Sequence, residues 1–237
     1  MGMMEDSHPG YEMYQMFSEP ACHGYAGAAR RRTWVIAAHG DRSSCLVDPF
    51  ELNDTISQWF KDNIQCQVQD YLVASATEIM MESSMVARQR GLPAFVPGTT
   101  PMRYLLLPRE DQVRAELDSK YHIQYGQSPE DNPNLVYFLG DSSDWCSWSA
   151  KSGMLPTFRL NSKTGKFWVP SQGRWLTSKE RLVAMGFPCI SEIANSMGVP
   201  VIGAVDTQRA ADICGNSMHF TTAAIMQLVA LSSFGPM

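Results

Sequence analysis

The sequence is poor in the patterns that announce a membrane, a metal or a ready-made catalytic nucleophile. It has no run of about 18 apolar residues and no signal-peptide pattern, so the chain is expected to be intracellular, and nuclear if eukaryotic, without a membrane partner. Its start, MGMMED, carries Asp6 where a myristoylation signal wants Ser or Thr, which argues against a lipid anchor. Six cysteines (Cys22, Cys45, Cys66, Cys146, Cys189, Cys214) stand without close pairs and are read as reduced thiols. Neither they nor the five histidines (His8, His23, His39, His122, His219) fall into CxxC or HExxH spacing, so no metal site is expected. There is no Walker loop to cradle phosphates and no GxSxG elbow to carry a serine nucleophile. Internal repeats and low-complexity tracts are absent as well.

What is present suffices for a packed core. Of the 237 residues, 44% are apolar, which suits one large domain or two small ones. The net charge of −5 is uneven: −1 over residues 1–40, −8 over 41–150 and +4 over 151–237. Phosphate is neutralised by cations, so a nucleic-acid contact is expected at Arg30, Arg31 and Arg32 and in the C-terminal third, and not in the acidic middle.

Residue patterns suggest the local elements. RRRTWVIAAH, Arg30 to His39, reads as a buried strand because Thr33, Trp34, Val35 and Ile36 are β-branched or aromatic and Gly40-Asp41 ends the run. Asn53 can cap a short helix through Ile64, and a longer amphipathic helix is expected from about Val68 to Arg90, stopped by Gly91-Leu92-Pro93. Its Met80, Met81 and Met85 are expected in the core. A helix around Glu110 to Tyr121 precedes the strand-like NLVYFLG and a loop, DSSDWCSWSAKSG, that is polar yet holds two Trp. KFWVP suggests a further strand. Thr177-Ser178-Lys179-Glu180 has capping-box spacing, Gly186 can make the left-handed turn that ends the helix, and Pro188 forbids its continuation. Gly215-Asn216-Ser217 is expected to precede a helix from Met218 to Leu231, where it would offer amides to a polar ligand.

The ordered set ARRRTWVIAAH, a long variable stretch, LPT, RWLTSKERLVAMGFP and GNSMHFTTAAIMQL resembles the C-terminal half of the DNA (cytosine-5) methyltransferases. That family carries an Arg-x-Arg strand, a target-recognition region, a Leu-Thr-x-x-Glu…Gly-Phe-Pro motif and a Gly-Asn-Ser/Ala motif in this order. The resemblance covers roughly residues 20–235. It implies an α/β fold, a partial doubly wound sheet of the S-adenosylmethionine-dependent methyltransferase type with a smaller inserted target-recognition region. Residues 1–39 would be a piece of catalytic domain ending in the Arg-rich strand, 40–154 the recognition region, and 155–237 the return to the catalytic domain.

Carried over position by position, Arg30 and Arg32 match the arginines that lie beside the flipped cytosine and brace the catalytic loop. The family's Gln two positions before the first Arg is Ala28 here. Arg174, Leu176, Thr177, Glu180, Gly186, Phe187 and Pro188 match the architectural motif that seats the recognition region, with Val183-Ala184-Met185 replacing the usual Arg-Leu-Gln. Gly215, Asn216 and Ser217 match the motif that helps hold S-adenosylmethionine.

Methylating carbon 5 of cytosine needs a thiolate for carbon 6, a proton donor for ring nitrogen 3 and a bound methyl donor. The family supplies these from a Gly-rich loop, a Pro-Cys-Gln loop and a Glu-Asn-Val segment, none of which has a match here. Cys189 follows Pro188, but Ile190 stands where Gln belongs and the pair lies far downstream of the nucleophile's place. The expectation is therefore a fragment or split subunit of a C5-cytosine DNA methyltransferase, with duplex DNA and a separate N-terminal catalytic half as partners. The alternatives are a non-catalytic DNA- or protein-binding remnant of that family and an RNA cytosine methyltransferase.

Overall fold

Caps and glycine stops set the helices of the computed structural model, which describes residues 7–96, 101–159, 166–203 and 206–237. The start MGMMED lies outside the described residues. In chain order the strands are β1 (Tyr11–Ser18), β2 (Arg32–His39), β3 (Ser43–Cys45), β4 (Tyr137–Phe138), β5 (Phe167–Val169), β6 (Arg174–Trp175) and β7 (Phe234–Pro236). The α-helices are α1 (Pro49–Asn63), α2 (Ala76–Arg90), α3 (Pro108–Tyr125), α4 (Ser178–Ala184), α5 (Ser191–Met197), α6 (Thr207–Asn216) and α7 (Phe220–Ser233). The class is mixed α and β with small sheets. Every strand pair among the described residues is antiparallel; the parallel exception is a single bridge from Ala28 to Leu155. The doubly wound parallel sheet expected from the resemblance is thus not formed by these strands.

The chain forms two units. The first takes the described residues within Met1–Tyr25, Ala29–Cys66 and Met218–Met237. β1 and β2 make a two-stranded ribbon in register from Tyr11 opposite His39 to Ser18 opposite Arg32. β2 is shorter than expected, beginning at Arg32, and it is not buried on both faces. Trp34 and Ile36 turn inward while Thr33, Val35 and Ala37 are exposed, because a ribbon with helices on one side covers only alternate residues. Met16 joins Ile225, Met226 and Val229 of α7, flanked by Leu52, Ile56 and Phe60 of α1, in a small apolar core. The cap of α1 is Asp48, whose Oδ1 accepts from Phe50 N at 2.7 Å, with Pro49 at the first turn. Asn53 therefore lies inside the helix instead of starting it. Gly24 (φ +76) is required, since a Cβ there would stand 2.2 Å from the Ile64 carbonyl oxygen.

The second unit takes 26–28 and 67–217. The long helix expected from Val68 is broken: a 3-10 turn, Val68–Tyr71, ends before a Ser75/Glu78 capping box starts α2, which stops at left-handed Gly91. The stronger local cap wins over continuous amphipathicity. α3 exceeds the expected span at both ends, from Pro108 to a Gly126 stop. β4, β5 and β6 form a three-stranded sheet with Trp168 between Tyr137 and Trp175. Those rings join Val86, Leu105, Val113, Leu117, Leu135, Leu139 and Trp148 in the main core. Of the two loop tryptophans, Trp148 is buried and Trp145 is 81% exposed. Met80, Met81 and Met85 are exposed and not in the core.

Candidate functional site

The segment from Arg174 to Pro188 folds as its spacing requires. The Thr177 hydroxyl accepts from Glu180 N at 3.3 Å, and a Glu180 carboxylate oxygen accepts from Thr177 N at 2.8 Å. This box starts α4. Glu180 does more than cap, because it also takes both arms of the Arg174 guanidinium, at 2.7 and 2.8 Å. A third donor, the Ala74 amide, reaches the same carboxylate at 3.1 Å from just before α2. Glu180 is 0% exposed and Arg174 is buried beside it. A buried carboxylate is tolerated only when its charge and lone pairs are met, and here a bidentate cation, two amides and a hydroxyl meet them. Gly186 adopts φ +81, Phe187 N returns to the Leu182 carbonyl at 3.0 Å, and Pro188 is buried. Arg174, Thr177 and Glu180 are thus brought together, and Gly186, Phe187 and Pro188 close the same short helix.

The other sequence-marked residues are placed differently. Arg30, 5% exposed, and half-buried Arg32 belong to the first unit, where Arg32 starts β2 and donates to the Arg31 carbonyl at 2.9 Å. Arg31 is exposed, its guanidinium 5.4 Å from the centre of the Phe17 ring. Gly215 and Asn216 are the last two residues of α6, and Ser217 is its C-cap, with Ser217 N bonded to the Ile213 carbonyl at 2.8 Å. The helix after them starts only at Phe220, where the His219 ring nitrogen accepts from Thr222 N. A helix end presents carbonyl oxygens, so the amide-rich cradle expected at Gly215-Asn216-Ser217 is replaced by the opposite polarity. Neither of the two clefts described below is lined by these three residues. As they stand they do not fit S-adenosylmethionine on their own.

Cys189 is unsuited to attack. It is 3% exposed, and burial pushes its thiol up to about 11, with Lys179 only partly opposing the shift. Among the described residues no group of three or more His, Cys, Asp or Glu could hold a metal ion, and no helix is long and apolar enough to cross a membrane.

Two clefts open in the second unit. One, of about 250 Å³, lies between Met81, Met85, Lys179, Cys189 and Ile202. The other, of about 330 Å³, is lined by Glu82, Arg90, Lys166, Trp175 and Arg181 among others. Glu82, on α2, fixes two walls at once: it accepts from Trp175 Nε1 at 3.2 Å and from Ser178 N at 2.8 Å. The Lys166 ammonium stands 4.6 Å from the centre of the Trp175 ring. Burial pulls Lys166 down to about 8, helped by Arg181 and Arg90 and opposed by Glu82 and Glu110. Sequence reasoning passed over this cluster. KFWVP was legible as a strand, but nothing in the local spacing ties Lys166 to Glu82 or Arg181.

No family model matches the chain, and no curated protein matches it.

Proposed function

We propose that the chain acts as the C-terminal half of a C5-cytosine DNA methyltransferase, a fragment or split subunit whose nucleophile and main methyl-donor loops lie outside this sequence. The observation that carries this reading is the buried Arg174–Thr177–Glu180 network. It ties Ala74, within the recognition region assigned by resemblance (40–154), to the return segment (155–237), which is the architectural task of that motif in the family. Cys189 supports it too, since a buried, unactivated thiol leaves the nucleophile to be supplied elsewhere.

On this reading duplex DNA is the substrate, and a cytosine is flipped because its reactive carbon is hidden in the stack. Arg30, buried within its own unit, and half-buried Arg32 would lie beside the flipped cytosine and brace the catalytic loop. S-adenosylmethionine remains the donor implied by the resemblance. Its pocket would have to be built by the other half.

A second reading is favoured by one observation, the charge of −8 over residues 41–150, which repels a phosphate backbone. It makes the chain a non-catalytic binding module of the same descent. Transfer of labelled methyl from S-adenosylmethionine to duplex DNA separates the two, measured with the chain alone and after mixing with a candidate N-terminal half bearing a Pro-Cys-Gln loop. Transfer is expected only in the mixture and should be lost in Arg32→Ala. DNA binding without transfer in either case would select the non-catalytic module. Neither binding nor transfer would refute the methyltransferase reading and leave only a protein-binding remnant, and transfer to RNA in place of DNA would reassign the substrate.

A further inference from the structure

We propose that the 330 Å³ cleft of the second unit is a binding site for a small phosphorylated ligand, its tetrahedral oxyanion held by Lys166 and Arg181. The inference is independent of the methyltransferase reading. It starts from the charge inside the cleft. Arg90 is neutralised by Glu110, at 3.3 Å, whereas neither Lys166 nor Arg181 is within ion-pair distance of a carboxylate among the described residues. Glu82 is the one acid lining the cleft, and its two oxygens already accept from Trp175 and Ser178. Two cations therefore converge on one acid that is already engaged.

Arg181 supplies the second observation. It is 9% exposed, one of its terminal nitrogens donates to Ser178 Oγ at 3.1 Å, and its Nε–H, fully shielded, has no partner. A buried guanidinium donor left unmet costs on the order of 1–3 kcal/mol, so Arg181 lines the cleft as a cation whose donors the protein leaves unsaturated. Lys166, half-buried as a residue, stands immediately before β5 and lines the cleft. The two donors come from separate elements, the start of β5 and α4. That suits a tetrahedral oxyanion better than a planar carboxylate, which is best met by one side-by-side fork. The Met85, Val86, Leu176 and Ala211 side chains leave an apolar wall for the body of the ligand, and the volume lies in the range of small-molecule sites.

The electrostatics make the site self-reporting. With no anion bound, Lys166 loses its proton near pH 8; the charged groups facing it are Glu82, Glu110, Arg90 and Arg181. A bound dianion favours the protonated ammonium, so affinity is full below that pH and falls as it rises, by at most tenfold per unit. Sulfate is the probe, because its own charge does not change in this window. Calorimetric titration of the full chain with sulfate is expected to show saturable binding at pH 7 that weakens about tenfold or more by pH 9.5. Lys166→Arg should keep the binding and flatten its pH dependence, and Lys166→Met should weaken it at least tenfold at pH 7 with an unchanged melting temperature. Inorganic phosphate should compete, and acetate should bind at least tenfold more weakly. No saturable heat, equal affinity in Lys166→Met, a flat wild-type profile, or acetate binding as tightly as sulfate would each overturn the proposal.

Discussion

Glu180→Ala is the sharpest probe of how this chain is held together. The carboxylate is fully buried and Arg174 nearly so, joined by two contacts of 2.7 and 2.8 Å. Truncation leaves the guanidinium as a buried cation without its partner, at a cost of about 3–5 kcal/mol. It also strips an acceptor from the Ala74 and Thr177 amides. These losses share one carboxylate and do not add independently, so about 4–5 kcal/mol is expected in total, with Glu180→Gln, which keeps the shape and one acceptor, nearer to about 3. For a chain of this size such a loss lowers the melting temperature by roughly 8–20 °C. Trp148, Trp168 and Trp175 are buried in the same unit, so urea unfolding followed by tryptophan fluorescence reads the transition directly. The companion is Arg174→Met with Glu180→Leu. Removing both charges from a dry site should recover much of the loss, because the single variant's penalty is an orphaned ion. A Glu180→Ala effect under about 1 kcal/mol, or a double variant no better than the sum of the singles, would refute this account of the network.

His23 and His219, both buried in the first unit, are each pulled down to about 4, chiefly by burial, with Lys61 adding to the effect at His23 and His23 adding to it at His219. A base whose folded-state value is lowered contributes full stability above its unfolded value near 6.5, and that stability is lost as pH falls toward 4, by about 2–3 kcal/mol per histidine. Thermal melts from pH 7 to 4 should fall steeply, and His23→Leu should flatten the curve; a profile unchanged by that substitution would refute the assignment. Native Cys189 should resist thiol-reactive reagents at pH 8 while exposed Cys45 reacts, with mass spectrometry after brief labelling as the check. Early labelling of Cys189 would show that it is neither buried nor unactivated.

How much of this was legible in advance follows the range of the interactions. The Thr177/Glu180 box and the Gly91 and Gly186 stops were readable because partner and signal lie within one helical turn. The start of α2 is hidden for a related reason: its amphipathic pattern runs back through Val68, but the Ser75/Glu78 cap starts the helix only at Ala76. Gly215-Asn216-Ser217 is ambiguous in sequence, since Gly and Asn suit either end of a helix, and α6 upstream decides for the C-terminal one.

The sequence alone determined the scattered spacing of the cysteines, the lack of metal spacing, the acidic middle and basic end, and the local caps, all properties of composition or of a few neighbouring residues. Tertiary structure decided the antiparallel pairing of β1 with β2, and the exposure of Met81 and Met85. It also decided the third donor of Glu180 and the cleft around Lys166. Ala74 and Glu180 are 106 residues apart, and Glu82 and Ser178 are 96 apart. Their meeting depends on burying the apolar residues of the intervening chain, a collective event that no short window of residues encodes.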